Sequence, residues 1–260
     1  MRPPGKLWSS LTVYCLPILR VSVRWFAGEV AAFDTLTRME PVVAQQQDVS
    51  EKRNVRNASL AVLALVSLLL FLWLGNDVHT RRTQDMDNLV RNTVHAWASP
   101  ARTGLMLRVT QLGSTLIVTG LAVVTVIGFL RLKWKRAAML LAIDLVVALA
   151  LNTFLKDLFH RPRPQPFFGI SPPHTYSFPS GHALFSICFY GMLAALLATR
   201  LERQFSRVLV WIFAGLLVLA IGFSRVYLGV HYPGDVVGGW AIALAWVSVL
   251  LMFDKKPATN

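Results

Sequence analysis

Residues 137–155, AAMLLAIDLVVALALNTFL, form an apolar run whose only charged member is Asp144. An α-helix rises about 1.5 Å per residue, so about 20 apolar residues cross the roughly 30 Å hydrocarbon core of a bilayer. Lipid offers no hydrogen bonds to an exposed backbone, whereas a helix satisfies its own. The run therefore predicts a transmembrane helix, in which we expect Asp144 to be structural or neutral and hydrogen-bonded, with a proton relay as the alternative.

Five further apolar runs of similar length flank this one. They are residues 58–74, 114–130, 182–199, 208–223 and 236–253. The chain of 260 residues is 55% hydrophobic and 15% charged, whereas a soluble domain is about 25% charged. These run lengths and this composition exclude an ordinary soluble protein. They predict an all-α, integral membrane six-helix bundle over residues 58–253.

The basic residues between the runs predict how the bundle is oriented, because Lys and Arg in short loops are retained on the cytoplasmic face. They are concentrated before the first span, in the link RLKWKR (131–136), between the fourth and fifth spans, and in the tail (254–260). We therefore expect both termini in the cytoplasm and loops 76–113, 156–181 and 224–235 on the outer, periplasmic face of the cell (inner) membrane. In such a chain the formal net charge of +13 indicates contact with anionic lipid and no nucleic acid partner.

The first outer loop carries a segment with helical periodicity. Apolar residues recur at helical spacing at Met86, Leu89, Val90, Val94 and Trp97, while Asp85, Asp87, Asn88 and Arg91 occupy other faces. This pattern is typical of a helix that lies on the membrane surface. A helix packed over the ends of the bundle fits it equally well, and both predict an interfacial helix in this loop.

Residues 1–57 precede the first span and have a mixed character. Their apolar stretch LTVYCLPILRVSVRWFA (11–27) is broken by Pro17, Arg20 and Arg24, and it lacks the small-residue cleavage site of a signal peptide. We expect a cytoplasmic or interfacial N-terminal segment. Met39 begins a polar stretch that leads into the first span, and it is an alternative start of translation.

The third span ends in the basic segment KDLFHRPRP (156–164). Pro162 and Pro164 prevent the helix from continuing, so we expect Lys156 on its last turn and Arg163 on an extended segment that folds back. Cations gathered at one membrane rim indicate an anion between them. Basic side chains that extend from a helix end towards water are the alternative.

The fourth span begins with FPSGH (178–182). The first N–H groups of a helix have no partners within it, and together with the helix dipole they favour a bound phosphate. Gly181 allows close approach of the backbone, Ser180 adds a hydroxyl donor, and His182 lies on the first turn. A plain N-cap followed by an interfacial histidine is the alternative.

The fifth span leads into SRVYLGVHYPGD (224–235). Arg225, His231 and Asp235 come within reach of one another if the chain turns at residues 232–234. Pro233 suits the first turn of the last span. The Asp235 carboxylate can then accept the Nδ1–H of His231 and leave Nε2 as a nucleophile.

Taken together, the three clusters resemble the signature of the type 2 phosphatidic acid phosphatase superfamily, which also includes vanadium haloperoxidases. The matching pattern is KxxxxxxRP from Lys156, PSGH from Pro179 and SRxxxxxHxxxD from Ser224. The resemblance implies phosphoryl transfer through a phosphohistidine without metal or cofactor. His231 is then the nucleophile, Asp235 orients it, and His182 protonates the leaving oxygen. The implied phosphate-binding residues are Lys156, Arg163, Ser180, Gly181 and Arg225.

The position of the clusters, where headgroups meet the hydrocarbon, predicts a membrane lipid phosphate as substrate. Undecaprenyl diphosphate comes first, followed by phosphatidylglycerophosphate, phosphatidate and lipid A phosphate. The alternatives are a lipid phosphotransferase, a vanadate-dependent haloperoxidase, and a non-catalytic protein that binds or transports lipid phosphates. Between residues 156 and 235 the only acids are Asp157, Glu202 and Asp235, too few for a two-metal site. We therefore expect no metal, and the sequence leaves the oligomeric state open.

Overall fold

The structure, a computed structural model, describes residues 17–171 and 174–254, with side chains from residue 47 onwards. In this part of the chain every regular element is helical. The helices are α1 (Pro17–Thr80), α2 (Gln84–Ala96), α3 (Pro100–Gln111), α4 (Thr115–Arg131), α5 (Lys135–Phe159), α6 (Gly181–Ser186), α7 (Met192–Ala198), α8 (Gln204–Tyr227) and α9 (Pro233–Met252). A π-helical turn, Ile187–Gly191, joins α6 to α7.

Five helical stretches among the described residues are long and apolar enough to cross a membrane. They are Gln47–Thr80, Lys135–Phe159, Gly181–Ala198, Gln204–Tyr227 and Pro233–Met252. Helices α3 and α4 meet at a bend of 48°, and the pair forms either a broken sixth span or a segment that re-enters the membrane. The predicted all-α membrane bundle is therefore confirmed, with five candidate spans and a bent pair of helices that can supply the sixth.

The chain divides into two compact units, Met1–Val55 and Arg56–Asn260. Of the first unit, the structure describes residues 17–55 as the N-terminal part of α1. Residues 1–16 and 255–260 lie outside the described residues. The interfacial character of residues 1–57, the alternative start at Met39 and the cytoplasmic tail all stay predictions.

The core of the second unit fixes the start of α6 against α9. Leu141, Leu184 and Met192 are fully buried at its centre. A Cβ on Gly239 of α9 would lie 2.6 Å from the backbone oxygen of Ser180, so only glycine allows this approach. Asp144 is also fully buried in this core.

The basic segments between the helices meet at one end of the bundle. Arg56 donates to the backbone oxygen of Asp254 at 2.7 Å, and Arg136 lies 3.2 Å from the Asp254 carboxylate. Arg200 stacks over the ring of Trp134 at 4.6 Å. Helices α5 and α9 run from this basic end of the bundle to its opposite end, and the three polar clusters lie at that opposite end.

Residues 76–113, the predicted first outer loop, contain the expected helix, α2, and also α3, which the sequence did not predict. Asp87 and Arg91 of α2 are buried against the bundle, whereas Met86 and Leu89 are 60% and 62% exposed. The helix therefore packs over the bundle end through Asp87, Arg91 and Val94, and it leaves Met86 and Leu89 outward. Contact of that apolar face with the membrane surface stays a prediction.

Candidate active site

The end of α5 follows the sequence prediction. The helix stops at Phe159, and His160 adopts a left-handed conformation with φ of 48°. Lys156 lies buried on the last turn, and its Nζ donates to the backbone oxygens of Tyr176 at 2.6 Å and Pro179 at 3.0 Å. Beyond the turn Arg163 folds back, and its Nη1 lies 3.1 Å from Nε2 of His231.

The start of α6 contributes the second cluster. Ser180 is its N-cap, and the backbone N–H of Ser180 donates to the backbone oxygen of Asp235 at 2.9 Å. Its Oγ is buried and has no hydrogen-bond partner among the described residues. A Cβ on Gly181 would lie 2.8 Å from Oδ1 of Asn152. His182 follows on the first turn.

The third cluster lies where α8 turns into α9. Arg225 is buried at the end of α8, and its Nη1 donates to Oγ1 of Thr110 at 2.6 Å. His231 is 2% exposed, and its Nδ1 lies 3.2 Å from Oδ2 of Asp235. The same oxygen accepts the backbone N–H of Tyr232 at 3.0 Å. Asp235 is therefore held on the first turn of α9, where the spacing predicted it.

These clusters enclose a cavity of about 340 Å³ at the end of the bundle. Its lining includes six of the predicted residues, namely Lys156, Arg163, Gly181, His182, Arg225 and His231. Asp235 lies behind His231, and Ser180 lies at the cap of α6. All eight predicted residues therefore come together. A second, apolar cavity of about 280 Å³ between α4 and α5 shares Thr115 and Phe185 with the first.

The contacts of His231 define its tautomer. Arg163 can only donate, so Nε2 accepts, and the ring proton lies on Nδ1, facing the Asp235 carboxylate. Burial, reinforced by the nearby cations Arg225, Arg163 and Lys156, lowers the pKa of His231 well below its ordinary value. The imidazole is thus neutral, and its Nε2 lone pair accepts from Arg163 at the wall of the cavity.

The cavity is strongly cationic. Three basic side chains line it, and burial lowers the pKa of Arg163 while Asp235 opposes that effect. Among the residues that the structure describes, these three cations have no ion pair with a carboxylate, and such cations in a half-enclosed site favour a bound oxyanion. No group of three or more His, Cys, Asp or Glu side chains able to hold a metal occurs among the residues that the structure describes.

Several polar residues of the site were missed by the sequence analysis. Arg161, inside the quoted segment KDLFHRPRP, bonds Asp235, and Asp87 of α2 bonds Arg161. Asn152 precedes Lys156 by four residues, so helical spacing could have found it. No sequence signal indicates Thr110, because its contact with Arg225 joins residues 115 positions apart.

A cationic cavity with a histidine–carboxylate pair, at one end of a bundle of membrane helices, defines a membrane enzyme that acts on phosphate. The profile of the PAP2 superfamily matches residues 137–257. The chain is 33% identical to phosphatidylglycerophosphatase B of Bacillus subtilis over 195 residues, which cover 74% of this chain and 95% of that protein. The chain belongs to the PAP2 superfamily, as the three clusters predicted.

Two further comparisons agree with this assignment. The chain is 33% identical over 123 residues to an undecaprenyl-diphosphatase of Sulfolobus acidocaldarius, covering 45% of this chain and 55% of that protein. The crystal structure of the first transmembrane PAP2 type phosphatidylglycerolphosphate phosphatase from Bacillus subtilis has a TM-score of 0.68 at 29% identity. That similarity covers 72% of this chain and 93% of the other. The protein is thus a multi-pass membrane lipid phosphatase.

Proposed function

We propose that residues 58–253 hydrolyse a phosphomonoester or diphosphate on a membrane lipid, without a metal ion, through a phosphorylated His231. The observation that carries this proposal is the pair of contacts on the imidazole. Nδ1 faces the buried carboxylate of Asp235 at 3.2 Å, and Nε2 faces the cationic cavity. A histidine held in this way is an oriented nucleophile.

In the first step the Nε2 lone pair of His231 forms a bond to phosphorus while the bond from phosphorus to the lipid oxygen breaks. The electron pair of that bond leaves with the oxygen, which takes a proton from His182. Lys156, Arg163 and Arg225 hold the equatorial phosphate oxygens, with help from Ser180 and the Gly181 N–H. Such positioning supplies most of the catalysis in phosphoryl transfer. Asp235 offsets the positive charge that the ring gains.

In the second step water attacks the phosphohistidine. An oxygen–phosphorus bond forms as the phosphorus–nitrogen bond breaks, and its electron pair returns to Nε2. His182, now neutral, accepts the proton that the water loses. Inorganic phosphate leaves, and both histidines return to their starting states. An alcohol in place of water would make the enzyme a phosphotransferase.

The two adjoining cavities support a substrate with a hydrocarbon chain. The apolar cavity meets the cationic one at Thr115 and Phe185 and extends between α4 and α5. A lipid whose phosphate occupies the cationic cavity can place its chain there, out of water. Undecaprenyl diphosphate and phosphatidylglycerophosphate, the substrates in the names of two relatives, are the first candidates, followed by phosphatidate.

Phosphate release from a panel of detergent-solubilised lipid phosphates tests the proposal. The wild-type protein should release phosphate in the presence of a chelator, and His231→Ala should abolish turnover. His174→Ala, which removes an exposed histidine from the cavity rim, is the matched control and should retain activity. Near-normal release by His231→Ala would exclude the phosphohistidine. Halide oxidation with added vanadate, or tight lipid binding without turnover, would favour the alternatives.

We also propose that both termini are cytoplasmic and that the cavity opens on the outer face. The contacts of Arg56, Arg136 and Arg200 support this topology, because they gather the basic segments at the end opposite the cavity. Ser171→Cys should react with a membrane-impermeant thiol reagent in intact cells, and Thr259→Cys only after permeabilisation. Cys15 and Cys188 are first replaced by serine. The reverse labelling pattern would place the cavity in the cytoplasm.

A further inference from the structure

Arg161 is a buried cation that the proposed reaction does not use. It is 6% exposed and follows His160, whose left-handed conformation turns the chain away from the axis of α5. It occupies one of the variable positions of KxxxxxxRP, two residues before Arg163. The two arginines approach the same histidine–carboxylate pair from its two ends: Arg163 contacts His231 and Arg161 contacts Asp235.

The two oxygens of the Asp235 carboxylate have different hydrogen-bond partners. Oδ2 faces Nδ1 of His231 and accepts the backbone N–H of Tyr232. Oδ1 accepts from Nη1 of Arg161 at 2.7 Å. The guanidinium also stacks over the Tyr232 ring at 4.2 Å, which fixes its plane. Rotation of the carboxylate would break the bond to Arg161, so Arg161 holds Oδ2 towards His231.

Helix α2 holds Arg161 in turn. Oδ2 of Asp87 accepts from Nη2 of Arg161 at 2.7 Å, and Oδ1 of Asp87 accepts the backbone N–H of Gly234 at 2.9 Å. Gly234 directly precedes Asp235, so the contacts form a closed ring. The carboxylate of Asp87 is also buried, at 4% exposure. A helix outside the three signature segments is therefore joined to the carboxylate behind the nucleophile.

The charges of this ring favour an ionised Asp235. A buried carboxylate without a cation tends to take up a proton. Although burial alone would lower the pKa of Arg161, the two carboxylates outweigh it and raise that pKa above its ordinary value. Arg161 therefore stays charged at every pH at which the enzyme can work. The cations that line the cavity do not take over this role of Arg161, because they face the substrate phosphate.

We propose that Arg161 is a positioning residue that keeps Asp235 ionised and aimed at Nδ1 of His231, and that Asp87 holds Arg161 in place. This inference rests on the proposed function of His231 and adds two residues to its support. Neither residue contacts the cavity. They act on the reaction only through Asp235.

Arg161→Met and Arg161→Lys test the proposal through the pH dependence of kcat/KM. The charged groups around Asp235 are Arg161, Lys156, Arg163 and His231, with Asp87 behind Arg161. In Arg161→Met we expect kcat to fall about 100-fold and KM to change less than about 3-fold, since the phosphate cations are intact. The decline of kcat/KM on the acid side of the pH profile (the acid limb) should move to higher pH, because the Asp235 carboxylate takes up a proton more readily without Arg161. Arg161→Lys should restore part of kcat and return the limb towards its wild-type position.

Asp87→Asn provides an independent variant with a milder effect, and Asp85→Asn, an exposed acid on the same helix, is its matched control. We expect a fall in kcat of about 10-fold for Asp87→Asn with the same direction of shift in the acid limb. Asp85→Asn should match the wild type. An unchanged kcat in Arg161→Met, or a fall in kcat with an unmoved acid limb, would overturn the proposal. If Arg161→Met does not fold, the proposal is tested in Arg161→Lys and Asp87→Asn by the same two measurements, kcat and the position of the acid limb.

A readout that needs no turnover separates this inference from the proposed function. In protein labelled with ¹⁵N-histidine, His231 should show a hydrogen-bonded Nδ1–H signal, assigned by its absence in His231→Ala. The signal should be lost or shifted in Arg161→Met and unchanged in Asp85→Asn. An unchanged signal in Arg161→Met would overturn the inference even if the enzyme is active. An inactive wild type with this signal pattern would overturn the proposed function and leave the positioning role supported.

Discussion

Replacing Asp235 by asparagine should inactivate the enzyme while leaving its phosphate cavity intact. The carboxylate is fully buried and accepts from Arg161 at 2.7 Å, while its other oxygen faces Nδ1 of His231 and the N–H of Tyr232. An amide has one oxygen for these donors. Its NH₂ group must therefore face either the guanidinium or the imidazole, and each choice places donor against donor.

The relative strengths of these bonds decide the orientation of the amide. A hydrogen bond to a charged group contributes about 1.5–3 kcal/mol and a neutral one about 0.5–1.5 kcal/mol. The orientation in which the amide oxygen accepts from Arg161 is therefore more stable than the flipped one by about 1 kcal/mol. The NH₂ group then faces Nδ1 of His231 and favours the tautomer protonated on Nε2, which cannot attack and which loses the hydrogen bond from Arg163. The positively charged phosphohistidine also lacks the buried carboxylate beside it, and this raises its free energy by about 3–5 kcal/mol. Together these amount to a loss of about 10³- to 10⁴-fold in kcat.

Steady-state phosphate release by Asp235→Asn, with vanadate affinity as the measure of an intact cavity, checks this prediction. A similar change in a serine protease triad costs about 10⁴-fold through the wrong tautomer. Vanadate should bind the variant within about 3-fold of the wild type, because the three cations that line the cavity are unchanged. The reasoning would be refuted by a kcat within about tenfold of the wild-type value. It would also be refuted if vanadate affinity fell as much as kcat.

Three further results are expected. His182→Ala should be severely slowed on lipid phosphates and less so on substrates with a good leaving group such as nitrophenol; an equal loss on both would remove His182 from the role of acid. Because the pKa of His231 is lowered, the decline of wild-type kcat/KM on the acid side should lie below about pH 6.5, whereas a decline that begins above about pH 7 would contradict a buried neutral nucleophile. Activity should survive EDTA, and vanadate should inhibit competitively, since the cavity is lined by Lys156, Arg163 and Arg225. Loss of activity that magnesium restores would contradict the metal-free mechanism.

The membrane spans could be predicted from the sequence because the bilayer fixes the length of an apolar helix. The run at residues 137–155 needed no tertiary information, and α5 contains it. The bend between α3 and α4 could not be predicted in this way. A Cβ on Gly113 would lie 2.4 Å from the side chain of Ile221 on α8, so the close packing at this bend involves residues far apart in sequence.

The candidate site could be predicted where its residues are close in sequence or share a family pattern. His231 and Asp235 are four positions apart, and the turn between them follows from Pro233. Arg161 was visible only as one more cation in a basic segment. Its partner Asp87 lies 74 positions away, and nothing local distinguishes Asp87 from Asp85. Long-range partners of buried charges are set by the tertiary fold, which a single sequence does not display.

The orientation of α2 shows why helical periodicity alone did not find Asp87. An amphipathic pattern distinguishes two faces but does not say which medium each face meets. In a soluble domain the apolar face turns inward, since water lies outside. At a membrane rim the outside is partly hydrocarbon and the interior contains buried charges. Asp87 therefore gains more by turning towards Arg161 than towards headgroups, and Leu89 on the other face loses little by staying outward. In a helix at the membrane rim, residues that support a buried catalytic site therefore lie on the polar face.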